Sequence, residues 1–262
     1  MTGTGQPINL NLELTDLCNI KCRMCGQAEN PKVHNLQANS FMKWDVWKAS
    51  IDALESYTDE VSLCPHWLGE PCLHPEFDRF VRYAFDNNEG NRLFRHFKLH
   101  TNGSLLNDAR IETLLDCANR DSMAEDTFRF VHFSVDAFTP GVYYAIKKFD
   151  YGERVYRNIV RLMERREARG LKRPYVTNAF IVMPENQHEA PWYLDYWATV
   201  FDRLGVKWEI FYDWPTHETD NVYFRRLHQA DQPAADRLHR IVLDQLGVLG
   251  LDEAGTFVED SF

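Results

Sequence analysis

The chain has 262 residues and 44% hydrophobic content, enough to build one large α/β barrel or two small domains around a sizeable core. Its 29 Lys and Arg stand against 39 Asp and Glu, and the formal net charge of −10 argues against broad attraction to nucleic acid or to an anionic membrane. Apolar runs are short and broken by charge, and the N-terminal segment MTGTGQPINL lacks the basic start and apolar stretch of a secretory signal; a soluble, cytoplasmic protein is expected.

In chain order, residues 7–14 alternate apolar and polar positions and stop at Thr15-Asp16, which predicts a strand feeding a loop. Residues 43–56 carry Trp44, Trp47, Ile51 and Leu54 near helical spacing, and residues 60–64 read as a second strand. A helical pattern through Phe77, Phe80, Val81 and Ala84 precedes a third strand at 94–99. Asn107 caps a helix bearing Ile111, Leu114 and Leu115, and residues 128–135 form the fourth strand. A helix at 155–167, a strand at 175–183, a helix at 192–204, a sixth strand at 206–212 and a last helix within 224–246 complete the set.

Regular alternation of strand and helix favours a parallel sheet covered by crossover helices, and without a linker it predicts one domain over residues 1–250. Residues 251–262 form an acidic, weakly apolar tail of the kind that frays. In such sheets ligands bind beyond the carboxyl ends of the strands. The unusual residues fall there: Cys18 to Cys25 after the first strand, Gly69-Glu70-Pro71 after the second, Thr101-Asn102-Gly103 after the third, Ser134 to Asp136 after the fourth, and Met183 to Asn186 after the fifth.

All six cysteines, Cys18, Cys22, Cys25, Cys64, Cys72 and Cys117, lie in the first half, three of them within eight residues. Clustered thiols in an intracellular chain suggest metal or redox chemistry before structural bridges. Three thiolates can ligate three irons of a cubane cluster and leave the fourth iron open. A zinc site completed by His34 or Cys64 is the alternative for the same residues.

The segment CNIKCRMC resembles the CxxxCxxC signature of the radical S-adenosylmethionine superfamily, including its place after a first strand. The resemblance extends over about residues 8–212. It implies a partial (β/α)6 TIM-like barrel, a [4Fe–4S] cluster on Cys18, Cys22 and Cys25, and S-adenosylmethionine as the second cofactor. Met24 stands where relatives usually have an aromatic residue, and its thioether suits packing against adenine. Leu68-Gly69-Glu70-Pro71 resembles the GGEP-type motif that holds the methionine amino group; read alone, it is more simply a turn. Asn102 in the TNG segment, and Ser134 and Asp136 in an SxDA segment, correspond to groups near the cofactor's ribose or carboxylate, with turn or cap chemistry as the alternative. Lys147 matches a position where relatives often carry Arg toward the methionine carboxylate; a solvated lysine at a helix end is the alternative. Met183 and Asn186 correspond to a fifth-strand loop near adenine, or to ordinary loop packing.

In this family the reduced cluster gives one electron to the bound sulfonium, and the adenosyl radical so released takes a hydrogen atom from substrate. The protein orients the C–H bond and excludes water. Trp67, Tyr212 and Trp214 lie at predicted strand ends and are candidate substrate walls. The pattern is closest to the SPASM/twitch branch, yet no cysteine follows Cys117 to hold an auxiliary cluster. A redox-neutral epimerisation or rearrangement of a small polar, carbohydrate-like or aminocyclitol metabolite is therefore expected. Cys64 and Cys72 are candidate hydrogen donors, and an external one-electron donor such as flavodoxin or ferredoxin is the expected partner. Modification of a ribosomally made peptide and a non-catalytic iron–sulfur or zinc-binding role are the alternatives.

Overall fold

The computed structural model describes residues 8–57, 60–119, 127–212 and 218–248. Within them one sheet has seven strands in the order β1-β2-β3-β4-β5-β7-β6, every neighbouring pair parallel. The strands are β1 (Ile8–Asn11), β2 (Val61–Cys64), β3 (His96–Thr101), β4 (Phe128–Ser134), β5 (Tyr175–Ile181), β6 (Trp208–Phe211) and β7 (Asp220–Arg225). The helices are α1 (Trp44–Ala53), α2 (Phe77–Asp86), α3 (Asp108–Asn119), α4 (Pro140–Lys147), α5 (Gly152–Ala168), α6 (Ala190–Leu204) and α7 (Gln232–Gln245). The sheet is an open α/β half-barrel with β1 and β6 at its edges.

Strand alternation divides the sheet between two environments. Leu63, Leu99, Val131, Phe133, Val176, Phe180, Val222 and Phe224 are buried in the core with the apolar stripes of the helices, such as Phe77, Phe80, Val81 and Ala84 of α2. The register puts Asn11, Cys64, Lys98, His100, His132 and Thr177 on the opposite face. One sheet therefore separates an apolar packing layer from a polar wall.

Local chemistry sets the helix limits near the carboxyl rim. Thr139 caps α4 by accepting from Val142 N–H, and Pro140 occupies its first turn. Lys148 ends it in the left-handed conformation, at φ 62°.

The structure departs from the sequence reading in two places, and its last helix lies within the expected bounds. There are seven strands, not six, because residues 220–225 form β7 and insert between β5 and β6. The last helix accordingly starts at Gln232, after this strand, where Asp231 caps it. The cause is tertiary: Asp220 takes Arg166 in a bidentate pair at 2.7 and 2.6 Å and accepts from Val176 N–H at 2.7 Å, fixing the start of β7 against α5 and β5. The short helix α4 is likewise additional. Residue 7, Trp214 and the tail at 251–262 lie outside the described residues. Among those described, no helix is long and apolar enough to cross a membrane.

Candidate active site

The loop after β1 is held by hydrogen bonds from four directions. Cys18 N–H donates to Val33 O at 2.9 Å, and Glu70 N–H donates to Leu17 O at 2.8 Å. Lys21 and Arg23 N–H donate to the carbonyls of Lys147 and Ile146 at 3.1 and 2.8 Å, so the carbonyls at the end of α4 take up the amides on either side of Cys22. Asn19 donates to Ser104 at 2.9 Å and accepts from Asn102 at 2.9 Å, which ties the cysteine loop to the TNG loop. A loop fixed on several sides presents its thiols in a defined geometry.

Gly69 is required by contact. A Cβ there would lie 2.1 Å from Thr15 O and 2.7 Å from Leu17 O, both backbone atoms. Glu13 clamps the same turn by accepting from Leu68 and Gly69 N–H at 2.5 and 2.7 Å. Glu70 is 2% exposed and accepts from Cys72 N–H, Thr101 Oγ1 and Asn102 N–H at 3.0, 2.7 and 2.7 Å. Burial raises its carboxyl pKa above the ordinary value, against the pull of those bonds.

These loops surround one cavity of about 120 Å³, whose lining includes Cys18, Cys22, Cys25, Gly69, Glu70, Asn102 and Ser134. The three cysteines are free and half-buried. Burial pushes the Cys18 thiol up to about 12 and raises that of Cys22, so a metal must displace their protons to bind.

The donor set fits an iron–sulfur cluster better than a zinc ion. Both ring nitrogens of His34 face backbone carbonyls, Cys18 O and Gln27 O, each at 3.2 Å. Among the described residues no group of three His, Cys, Asp or Glu could hold a single metal ion. A cubane differs from a zinc ion in taking each thiolate on a separate iron.

Other residues singled out from the sequence lie around the cavity or behind it. Asp136 is fully buried in the left-handed conformation, at φ 64°. Its Oδ1 accepts from Ile181 N–H at 2.7 Å and its Oδ2 pairs with Lys147. Lys147 is 0% exposed and paired with Asp136, which corrects the alternative of a solvated lysine at a helix end. Burial opposes its charge, but Asp136, Cys22 and Tyr143 together hold its pKa above the ordinary value. Met24 is partly buried against the core, while Met183, Pro71 and Asn186 are buried. Asn186 caps its own loop by accepting from Met183 N–H and donates to Asp136 O, both at 2.8 Å.

Cys64 stands at the end of β2 on the polar face, and burial lifts its thiol to about 11. Cys72 lies in the apolar core with no exposure, and its N–H donates to Glu70 at 3.0 Å. Trp67 is 61% exposed and Tyr212 is 37% exposed. Glu13, Asn19, Ser104 and Glu189 are site-building residues that sequence reasoning missed. Glu189, fully buried, accepts from Phe138 N–H at 2.8 Å and Thr139 N–H at 3.1 Å and so anchors the start of α4. Their partners lie 50 to 85 residues away, as in Asn19 with Ser104 and Glu189 with Thr139.

An open parallel α/β barrel with three reduced cysteines on its first carboxyl-end loop, facing a cavity rimmed by the next three loops, defines a thiolate-ligated metal centre of the cluster-binding class. Residues 12–196 match the family model described as Radical SAM superfamily, and the chain belongs to that superfamily. Its members are enzymes that use a [4Fe–4S] cluster and S-adenosylmethionine.

A protein of Pyrococcus furiosus named tungsten-containing aldehyde ferredoxin oxidoreductase cofactor-modifying protein is 26% identical over 182 residues, 70% of this chain and 46% of that protein. Among solved structures, native anSMEcpe with bound AdoMet aligns with a TM-score of 0.55 at 16% identity, over 84% of this chain and 51% of the other. SuiB of Streptococcus suis aligns with a TM-score of 0.54 at 12% identity, over 93% of this chain and 47% of the other. The chain thus spans about half the length of these relatives, and the structural likenesses show the fold.

Proposed function

We propose that this chain is a radical S-adenosylmethionine enzyme that takes a hydrogen atom from a small polar, carbohydrate-like or aminocyclitol metabolite, with epimerisation or rearrangement as the outcome. The observation that carries the reading is the single cavity shared by Cys18, Cys22 and Cys25 and the loop ends of β2, β3 and β4. In this reading the three cysteines hold the cluster. Gly69, Glu70, Asn102 and Ser134, with Met24, Pro71 and Met183 nearby, form the S-adenosylmethionine site. Once bound, the cluster supplies the electron that frees an adenosyl radical from the sulfonium.

The chain's own residues position and shield. Glu70 lines the cavity and joins the loops after β2 and β3, so a methionine amino group set there meets a carboxyl fixed by its neighbours. The Asp136–Lys147 pair secures the loops after β4 and β5 behind the cysteine loop. Cys64, on the polar face, is the candidate thiol for returning a hydrogen atom to a substrate radical, and the thiyl so left would be returned to thiol by one electron from the external donor and one proton from solvent; Cys72 is left to packing. An external one-electron donor of the flavodoxin or ferredoxin kind reduces the cluster.

A second reading is modification of a cofactor, favoured by the name of the Pyrococcus furiosus relative, which is a cofactor-modifying protein. The test is anaerobic reconstitution with iron and sulfide, followed by dithionite reduction with S-adenosylmethionine. Formation of 5′-deoxyadenosine by the wild type and its loss in Cys22→Ala supports the proposal. No cleavage under any reducing condition overturns it.

A further inference from the structure

Three histidines stand in a row that starts in the loop after β2 and crosses the polar face of the sheet, and none of them belongs to the cysteine loop or to the residues assigned above to the cofactor. His66 follows β2 and lines the cavity, His100 lies on β3, and His132 is its register partner on β4. The rings of His66 and His100 stack with centroids 5.4 Å apart at 16°, and those of His100 and His132 with centroids 4.7 Å apart at 27°. The same register level continues through Thr177 on β5 to Asn221 on β7. Asn221 donates to Thr177 Oγ1 at 3.1 Å, while its Oδ1, fully buried, has no hydrogen-bond partner among the described residues. His66 and His100 also make no ring hydrogen bond among the described residues.

A row of polar side chains on a sheet face, continuous with the cavity and with hydrogen-bonding capacity left open, is costly to build unless a ligand or water meets it. Burial keeps His66 and His100 below the ordinary histidine range, so both are neutral at pH 7. A neutral imidazole offers one N–H donor and one nitrogen acceptor, and threonine and asparagine also offer both functions. A hydroxyl group has the matching pair. The charged neighbours that His100 faces, Lys98 and Arg225, are cations, and they disfavour an ammonium group against this wall.

We propose that His66, His100, His132, Thr177 and Asn221 form the substrate-binding wall, and that it takes a neutral polyhydroxylated molecule through adjacent hydroxyl groups. The inference rests on the small-metabolite reading above and narrows it: the face of the substrate held here carries hydroxyls and no amine.

The experiment uses the full reconstituted chain with S-adenosylmethionine bound and histidines labelled with nitrogen-15. The probes are a mixture of hexoses, pentoses and myo-inositol, then glucosamine, and a serine- and cysteine-containing pentapeptide. Ligand-observed magnetic resonance should detect at least one neutral polyol, and that polyol should shift the ring signals of His100 and His132. Glucosamine should bind more weakly than glucose. His100→Phe should weaken polyol binding at least tenfold, whereas His100→Asn, which keeps a donor and an acceptor, should stay within about threefold. Circular dichroism and S-adenosylmethionine binding establish that each variant is folded, with His132→Phe as the second variant if His100→Phe is not.

Polyol binding that is unchanged in His100→Phe and His132→Phe overturns the wall while leaving the small-metabolite reading intact. Binding of the pentapeptide with no polyol bound overturns both. Binding of no probe overturns the polyhydroxylated class.

Discussion

Lys147 and Asp136 form an ion pair that water does not reach, with side chains 0% and 1% exposed. The charge of the same lysine also favours the Cys22 thiolate, against the burial that raises its pKa. One ammonium thus joins the loop after β4 to the cysteine loop. Removing one partner of a buried pair leaves an uncompensated charge and typically costs about 3–5 kcal/mol. Asp136→Asn should therefore lower the unfolding free energy of the metal-free chain by about that amount, since Asn tolerates the left-handed backbone at this position. Adding Lys147→Met should restore part of the loss, and urea denaturation of the single and double variants measures both. Equal stability of Asp136→Asn and wild type would show that the pair carries no net weight.

Hydrogen bonds to ligand sulfurs and nearby positive charge set the potential of an iron–sulfur cluster. Lys147→Met should make the reconstituted centre harder to reduce, giving a more negative midpoint in a redox titration followed by electron paramagnetic resonance. A midpoint that does not move would detach Lys147 from Cys22.

Replacement of Cys18, Cys22 or Cys25 by Ala should abolish bound iron after reconstitution, because each thiol lines the one cavity. Cys117→Ala should keep its iron, since that residue is buried in α3 among apolar neighbours. Iron and sulfide analysis decides the matter; equal iron in all four variants would remove the cysteine loop from the metal site.

Gly69→Ala forces a methyl group against Thr15 O and Leu17 O, neither of which can rotate away. Overpacking of this kind typically costs about 1–3 kcal/mol. The strain falls where the cysteine loop meets the Gly69-Glu70 turn, so weaker S-adenosylmethionine binding should accompany a lower melting temperature. Calorimetry and thermal melts that match the wild type would show that the turn shifts freely.

Stability should fall as the pH is lowered from about 6.5 toward 4. Burial brings the imidazoles of His66 and His96 down to about 4 and lowers that of His100 as well. In this window the unfolded chain binds protons that the folded chain refuses, so each such group removes up to about 1.4 kcal/mol per pH unit. Above about 6.5 both states are neutral at these positions and the dependence flattens. His100→Phe should reduce the slope of unfolding free energy against pH, measured in urea at pH 7.5, 6 and 5. An unchanged slope would mean that His100 titrates alike in both states.

Much of the site was legible because its motifs are local. Cys18, Cys22 and Cys25, the Gly69-Glu70-Pro71 turn, Asn102 and Ser134 each follow a strand, and alternating hydrophobicity located those strands. What escaped depends on partners distant in sequence. Asn19 bonds to Ser104 and Glu13 to Gly69, and neither pair has a recognisable spacing. Lys147 carries the charge the motif suggested, but its pairing with Asp136 depends on how α4 packs. The histidine row escaped because His66 comes from the loop after β2 and His100 and His132 from β3 and β4, and only the fold aligns them.

The sheet order sets a timing problem for the growing chain. In the described sheet β6 pairs with β7 alone, yet β6 comes first in the sequence. The chain emerges from the ribosome N-terminal end first, so β6 appears while its hydrogen-bonding partner is still unmade. Until then its amides must remain in water or find another edge. The Arg166–Asp220 pair closes the interval: once Asp220 reaches α5, β7 docks beside β5 and gives β6 its place. That buried pair joins residues 54 positions apart, so the place of β6 in the sheet depends on a contact that reaches back from β7 to α5.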